Sequence, residues 1–522
     1  MGTIDYIVII AYAVGLLSLA LWVSRKKDGK EKTSKDYFLA GNTLTWWAVG
    51  ASLIASNISA EQIIGMTGDG YSMGLAIASY EWMAAITLLV VAKFLLPIYL
   101  EKKIYTMPQF LEMRFDGRVR TILAVFWILV YVFVNLTSIL YMGALTMREV
   151  MGIELWQGAV ILAAFSALYS LYGGLMAVAW TDLVQVIALT IGGIITTFLV
   201  LAAVGETTGG GAWDGMVTLA NEMPEKFQMI FSKESPFYDK LPGLTVLFGG
   251  MWIANLFYWG FNQYITQRAL AAKNLNEAQK GMVFAAFLKL LMPLIVVIPG
   301  IAAFYLNKDI SPSTGAYPWV LANYVPTGIK GLAFVALAAA IVSSLSSMIN
   351  SISTIFTMDI YKKQFNKDAS EKHLVTVGRT VAAIALCIAL PIAPFLDSLD
   401  SAFQYIQEFT GYVSPGVLAI FLAGMFYKKA TANAAVWAAI LTIPMGYAFK
   451  AITPNMPFLD RMGIVFLILG AVIAIISYLE RRGQDDPKAL DLRKGIFHTS
   501  NTFNIGAIGV MAILVVLYTV FW

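Results

Sequence analysis

Apolar runs of about twenty residues recur from one end of this chain to the other, and they exclude most folds at once. A helix of that length crosses the ~30 Å hydrocarbon layer of a bilayer. Of the 522 residues, 59% are hydrophobic and 13% are charged, against roughly 25% charged in a soluble domain. The runs predict an all-α polytopic membrane protein. About fourteen transmembrane helices are expected, at 4–24, 45–66, 74–100, 119–147, 156–174, 177–204, 243–266, 281–306, 329–361, 374–395, 402–427, 430–449, 456–480 and 502–522.

The first run, Ile4 to Val23, has no basic residue before it and the cluster SRKKDGKEKTSK after it. That is the reverse of a secretory signal, and it reads as a retained span with its N-terminus outside. Fourteen spans then put both termini outside. The connections placed inside carry 26 Lys and Arg, and those placed outside carry 8, as the positive-inside rule requires. Basic residues in short connections account for the net charge of +4 without a nucleic-acid partner. Cys387 is the one cysteine, in the run VAAIALCIALPIA, so no intrachain disulfide is possible and core packing is expected.

The longest external connection, Gly205 to Gly243, has room for a short amphipathic helix, as does Pro108 to Arg118 on the inner side. The external connection is not expected to bear on a site. The strings Asn57-Ile58-Ser59 and Asn135-Leu136-Thr137 match the glycosylation pattern but lie in spans, which forbids it. No Walker-type loop is present; GDGYSMG (68–74) lacks both its spacing and its setting. ATP hydrolysis is not expected, nor any enzymatic reaction, so transport would be secondary.

One span is too polar to face lipid. Ala51 to Gly68 reads ASLIASNISAEQIIGMTG and holds Ser52, Ser56, Asn57, Ser59, Glu61 and Gln62. Unsatisfied polar groups are costly in hydrocarbon, so this stretch must face protein, water or a bound solute. Ser and Asn also compete for backbone hydrogen bonds. Unwound backbone at membrane depth is tolerated where it lines a cavity, and its carbonyls there can hold a cation. A polar helix buried in a bundle without any ligand is the alternative.

A second span, GGMWIANLFYWGFNQYITQR, is interrupted by Gly249, Gly250, Asn255, Gly260, Asn262 and Gln263. If 45–204 is one five-span unit, 243–427 is a second of the same size and opposite orientation. Interrupted spans at matching positions of two halves point to a transporter site, unless the glycines only admit close helix packing. The remainder divides into 1–44 (a peripheral helix and basic cytoplasmic loop), 205–242 (an extracellular loop) and 428–522 (three C-terminal peripheral helices).

Charges inside spans narrow the chemistry. Glu81 in ASYEWMAA and Lys289 in FAAFLKLLMP are costly at mid-membrane unless they face a cavity or each other. Paired across a cavity, they leave a nearly neutral site suited to an uncharged polar solute; a purely structural ion pair is the alternative. Gln62, Asn255 and Gln407 add amides that can read several hydroxyls, and Tyr258 and Trp259 offer ring faces to the apolar side of a sugar. In AAAIVSSLSSMINS, Ala340, Ser343 and Ser344 share one helix face. With unwound carbonyls at 55–58 they would form a cluster of neutral oxygens, which suits a hard monovalent cation. Serines that only mediate helix contact read the same way. Asp182, in VAWTDLVQV, stands on the ion route or pairs structurally.

The strings VGASLIASNISAEQ, GYSMGLAIASYEWM, VNLTSILY, WTDLVQV, WIANLFYWGFNQYITQR, AAKNLNEAQKG, AAAIVSSLSSM and AFQYIQEFTGYVSPG occur here in order. In them the chain resembles the solute:sodium symporter family across nearly its full length. The resemblance implies a leucine-transporter-type inverted repeat of five plus five helices, with four peripheral ones. It implies sodium held by the carbonyls of Ala55, Ile58 and Ala340 and the hydroxyls of Ser343 and Ser344. It implies sugar contacts from Gln62, Glu81, Asn255, Lys289 and Gln407, with Asn57 nearby. Tyr258 would cover the sugar from the inner side, and Met66, Tyr80 and Phe403 from the outer side. Asn57 and Tyr258 would couple the two sites, and Asp182 would receive the leaving ion.

One departure stands out: a galactose carrier of the family has a serine hydroxyl where Ala84 stands here. The expected function is sodium-driven symport of a neutral monosaccharide, galactose or glucose, across a plasma membrane of the bacterial inner-membrane kind. Sodium is co-transported rather than a permanent cofactor. The rivals are the same machine for myo-inositol, sialic acid or an amino acid, and a sugar sensor or channel.

Overall fold

The computed structural model describes residues 2–24, 38–59, 61–104, 106–173, 175–398 and 402–522. Among them the regular elements are all helical. One isolated bridge pairs Leu44 with Ala272. Eleven helices among the described residues are long and apolar enough to cross a membrane. Thr3–Ser24 and Asn501–Val520 lie at the edge and expose Ile4, Ile7, Ile10, Ile505, Ile508 and Val515. Such an apolar belt is stable only against lipid, so the chain is a multi-pass membrane protein.

The span expected at 45–66 is split. Trp46–Asn57 stops at the polar stretch Asn57–Ser59, and Ile58 is extended at φ −78°, ψ 107°. Ser59 N–H, which would continue the helical ladder to the Ala55 carbonyl, donates instead to Gln62 Oε1 at 3.0 Å. The helix resumes through a π-helical turn, Glu61–Gly65, and a second half-helix, Met66–Met73. The polar break therefore sits inside the span, which runs farther than expected, to Gly74.

The second polar span breaks in the same way. A π-helical turn, Phe257–Phe261, is followed by extended Asn262 (φ −81°, ψ 119°), and Gln263–Leu270 resumes. The start of the first span and the end of the second are tied together: Leu44 N–H donates to Ala271 O at 3.1 Å, and Lys273 N–H to Leu44 O at 2.9 Å. Glycine brings a third helix, Leu275–Val296, close. A Cβ at Gly50 would lie 2.7 Å from Gly281 O, and one at Gly281 would lie 2.9 Å from Trp46 O. Ile329–Ile355 lies in the middle of the bundle, with Ser343, Ser344, Ser346, Ser347, Asn350 and Ser351 all buried.

One expectation is corrected, and two charges expected in connections prove buried. Cys387 is exposed on Glu371–Ile392 rather than packed in the core. Arg268, counted above among the inner-loop charges, is fully buried at the end of Gln263–Leu270. Arg114, counted likewise, is also fully buried: it donates to the carbonyls of Gly424 (2.8 Å), Tyr427 (3.1 Å) and Ala430 (3.0 Å), tying the short helix Met107–Arg114 to the end of Ala402–Phe426. The short helix expected between Gly205 and Gly243 is present as Ala212–Glu222.

Candidate functional site: a cavity beside two helix breaks

A cavity opens beside both breaks. Among its lining residues are Asn57, Gln62, Met66, Tyr80, Glu81, Ala84, Asn255, Tyr258, Trp259, Lys289 and Gln407. Residues expected at the solute site from five separate spans thus share one wall. The side chain of Phe403 lies outside the described residues. Glu81 and Lys289 form a direct ion pair, with side chains 5% and 1% exposed. Lys289 Nζ also stands 5.3 Å from the Trp259 ring centroid. The pair leaves little net charge at the cavity, as a neutral solute requires.

The amides are partly committed. Gln62 Oε1 accepts from both Ser59 N–H and Ser59 Oγ at 3.0 Å. Asn255 Nδ2 donates to Met251 O at 3.1 Å. Asn57 Nδ2 donates to Tyr258 Oη at 2.9 Å, and Tyr264 Oη donates to the same oxygen at 2.5 Å. Buried Asn57 Oδ1 has no hydrogen-bond partner among the described residues, so it remains an acceptor for a solute hydroxyl or water.

The ion-site candidates lie on the other side of the first break. Ser344 Oγ donates to Ser56 O at 3.1 Å and approaches Ile58 O at 3.4 Å. The Ala55 carbonyl has lost its i+4 donor to Gln62. Ser343 Oγ is turned to Asp182 Oδ1 at 2.5 Å, and Ser52 Oγ to Asp182 Oδ2 at 2.5 Å. Ala340 is buried on the same helix, inside a regular stretch. Asp182 is therefore bonded to both helices that carry the other ion-site candidates.

Sequence reasoning missed several neighbours. Arg268 donates to Ser347 Oγ at 2.5 Å and lies 3.9 Å from Asp182, so a buried guanidinium balances that carboxylate. Its position at a span end made it read as a loop charge. Thr410 and Ser414 also line the cavity, and both hydroxyls are buried without a partner among the described residues. They stand three and seven residues after Gln407, on the same helix face, a spacing visible in QEFTGYVS. Asn135 and Asn262 line it too; Asn135 had been weighed only as a glycosylation pattern.

Comparison with known proteins fixes the family. The model of the sodium:solute symporter family matches residues 37–442. The chain belongs to that family. It is 52% identical to the sodium/glucose cotransporter of Vibrio parahaemolyticus, over 99% of this chain and 98% of that one. It is 35% identical to human sodium/myo-inositol cotransporter 2, over 85% of this chain and 69% of that one. Its fold matches a sodium-coupled sialic acid symporter in a substrate-bound outward-open state, with TM-score 0.80, 24% identity, and 92% and 98% of the two chains covered. That relative has the leucine-transporter fold, which this chain shares.

Proposed function

We propose that this symporter couples sodium to the uptake of a neutral monosaccharide, glucose or galactose, by alternating access. The observation that supports the reading is that one break borders both candidate sites. Asn57 and Gln62 line the cavity, while the Ser56 and Ile58 carbonyls, on either side of Asn57, meet the Ser344 hydroxyl. An ion at Ala55, Ile58, Ala340, Ser343 and Ser344 would fix the break in one conformation, and so fix the amides that read the sugar.

By linkage, sugar then tightens sodium as much as sodium tightens sugar. Gln62, Glu81, Asn255, Lys289 and Gln407 hold the sugar in this reading. Asn57 and Tyr258 transmit between the sites, and Met66, Tyr80, Phe403 and Tyr258 close over the sugar. Asp182 receives the ion on release. A potential near 100 mV supplies about 2.3 kcal/mol per charge, and a tenfold sodium gradient about 1.4 kcal/mol. Together, roughly 3.7 kcal/mol sustains several hundred-fold accumulation per ion.

We take the architecture as fourteen spans in two inverted five-helix repeats, 45–204 and 243–427, in a bacterial inner membrane with both termini outside. Divide Gln62–Glu101 at Gly74, join its first part to Trp46–Asn57, and add Leu155–Gly173 and the broken span of 243–270; the eleven helices then become fourteen.

Myo-inositol is the second substrate to test. Ala84 lines the cavity where a galactose carrier of the family offers a hydroxyl, and the human relative carries myo-inositol in its name. The test is uptake of labelled glucose into proteoliposomes, with sodium exchanged for potassium and with unlabelled galactose, myo-inositol or sialic acid as competitors. Sodium-dependent uptake blocked best by hexoses is expected. Uptake unchanged in potassium, or blocked only by a non-hexose, overturns the reading.

A further inference from the structure

Lys226 belongs to the external connection, in the turn Pro224–Phe227, yet it is only 8% exposed. An ammonium leaves water only where other groups replace its hydration. Lys226 Nζ donates to Tyr71 O at 2.9 Å and Ser72 O at 2.7 Å, and it stands 3.8 Å from the Phe304 ring centroid. Those two carbonyls belong to the last turn of the second half-helix Met66–Met73, the negative end of its dipole.

The backbone is as close as the side chain. A Cβ at Gly74, itself at φ +81°, would stand 2.2 Å from Lys226 O, so only glycine lets the connection settle there. The connection is anchored on both sides of this grip. Upstream, Ala212–Glu222 is seated on the outer end of Leu175–Glu206, where a Cβ at Gly215 would lie 2.0 Å from Leu201 O. Downstream, Met229 N–H donates to Phe521 O at 2.9 Å.

The second half-helix cannot inherit its position from Trp46–Asn57, because the helix is broken between them. Two further hydrogen bonds tie it to one neighbouring stretch: Thr67 Oγ1 donates to Val296 O at 2.6 Å, and Ile310 N–H to Tyr71 Oη at 3.1 Å. Met66, at its inner end, lines the cavity.

We propose that Lys226 is a positioning residue for the solute site, holding the second half-helix from an external strap, 212–229, so that Met66 stays over the cavity. The proposal rests on the transport reading above. Lys226 touches neither sugar nor ion; it acts through the half-helix. Without it, two helix-end carbonyls lose a charged donor, the half-helix is free to swing away from the cavity, and sugar is held less well from outside.

The test is the initial rate of glucose uptake into proteoliposomes at saturating sodium, for wild type, Lys226→Met, Lys226→Arg and Phe304→Leu, normalised to folded carrier. Lys226→Met should raise the sugar KM about tenfold, with Vmax changed by no more than about twofold. Lys226→Arg should return KM to within about threefold of wild type, because Arg also donates charged hydrogen bonds. Phe304→Leu removes the ring under the ammonium, which also meets Tyr71 of the half-helix edge-on at 5.3 Å, and should raise KM by about threefold. If Lys226→Met does not fold, Lys226→Arg and Phe304→Leu decide. An unchanged KM in Phe304→Leu, an unchanged KM with reduced Vmax in Lys226→Met, or an arginine variant as impaired as the methionine one overturns the assignment alone. Absence of sodium-driven uptake by the wild type overturns the transport reading and this assignment with it.

Discussion

Replacing Glu81 alone should cost far more than one hydrogen bond. Its carboxylate pairs with Lys289 Nζ, both side chains are at most 5% exposed, and no other ion pair is present for Lys289 among the described residues. Removing one partner of a buried pair strands the other charge and costs about 3–5 kcal/mol, whereas replacing both with apolar residues is often close to neutral. Glu81→Leu and Lys289→Met should therefore each lower stability sharply, and the double variant should recover most of the loss. The coupling energy should be about 2 kcal/mol or more. The assay is the thermal midpoint for loss of monodisperse purified carrier, with glucose uptake measured in parallel. Uptake should stay abolished in all three variants, because both residues also line the cavity. A double variant no more stable than the worse single one, or wild-type uptake by any of the three, refutes the reasoning.

Tyr258→Phe keeps the ring but removes the oxygen that accepts from Asn57 at 2.9 Å and from Tyr264 at 2.5 Å. The factor by which sugar raises sodium affinity should fall several-fold, read from sodium titrations with and without glucose. Ser344→Ala removes the hydroxyl that meets the Ser56 carbonyl at 3.1 Å; apparent sodium affinity should drop by up to about tenfold, while sugar KM at saturating sodium holds. Ala84→Ser restores a hydroxyl to the cavity wall and should tighten galactose by up to about tenfold, measured by competition against labelled glucose. Glu112, on the short helix Met107–Arg114, is pushed up by burial, but a hydrogen bond from Lys363 and the charge of Arg120 more than offset that and leave it below the ordinary value of 4.5. Its contribution to stability is thus complete above pH 4.5 and is lost as the pH falls below it. Glu112→Gln should flatten that part of the acid-unfolding profile.

The breaks were legible because Asn57, Ser59 and Asn262 are weak helix formers set in apolar spans; that the Gln62 side chain takes the Ser59 N–H was not. The Glu81–Lys289 pair was legible because two charges in separate apolar runs have few ways to be tolerated. The candidate serines Ser343 and Ser344 could be placed with Ala340 on one helix face by spacing alone. Arg268 was not legible, since a basic residue at a span end looks the same whether it turns into the bundle or out to water. Cys387 failed for a related reason: an all-apolar stretch does not say which of its faces meets lipid. The role of Lys226 depends on where a long connection lands, which spacing does not encode.

The central claim is that a single helix break joins two ligands, so each must favour the other equally. Equilibrium binding on purified carrier tests it directly, with labelled glucose titrated at low and saturating sodium, and radioactive sodium titrated with and without glucose. The account predicts the same factor in both directions, reduced in parallel by Tyr258→Phe. Glucose binding that is indifferent to sodium would contradict it.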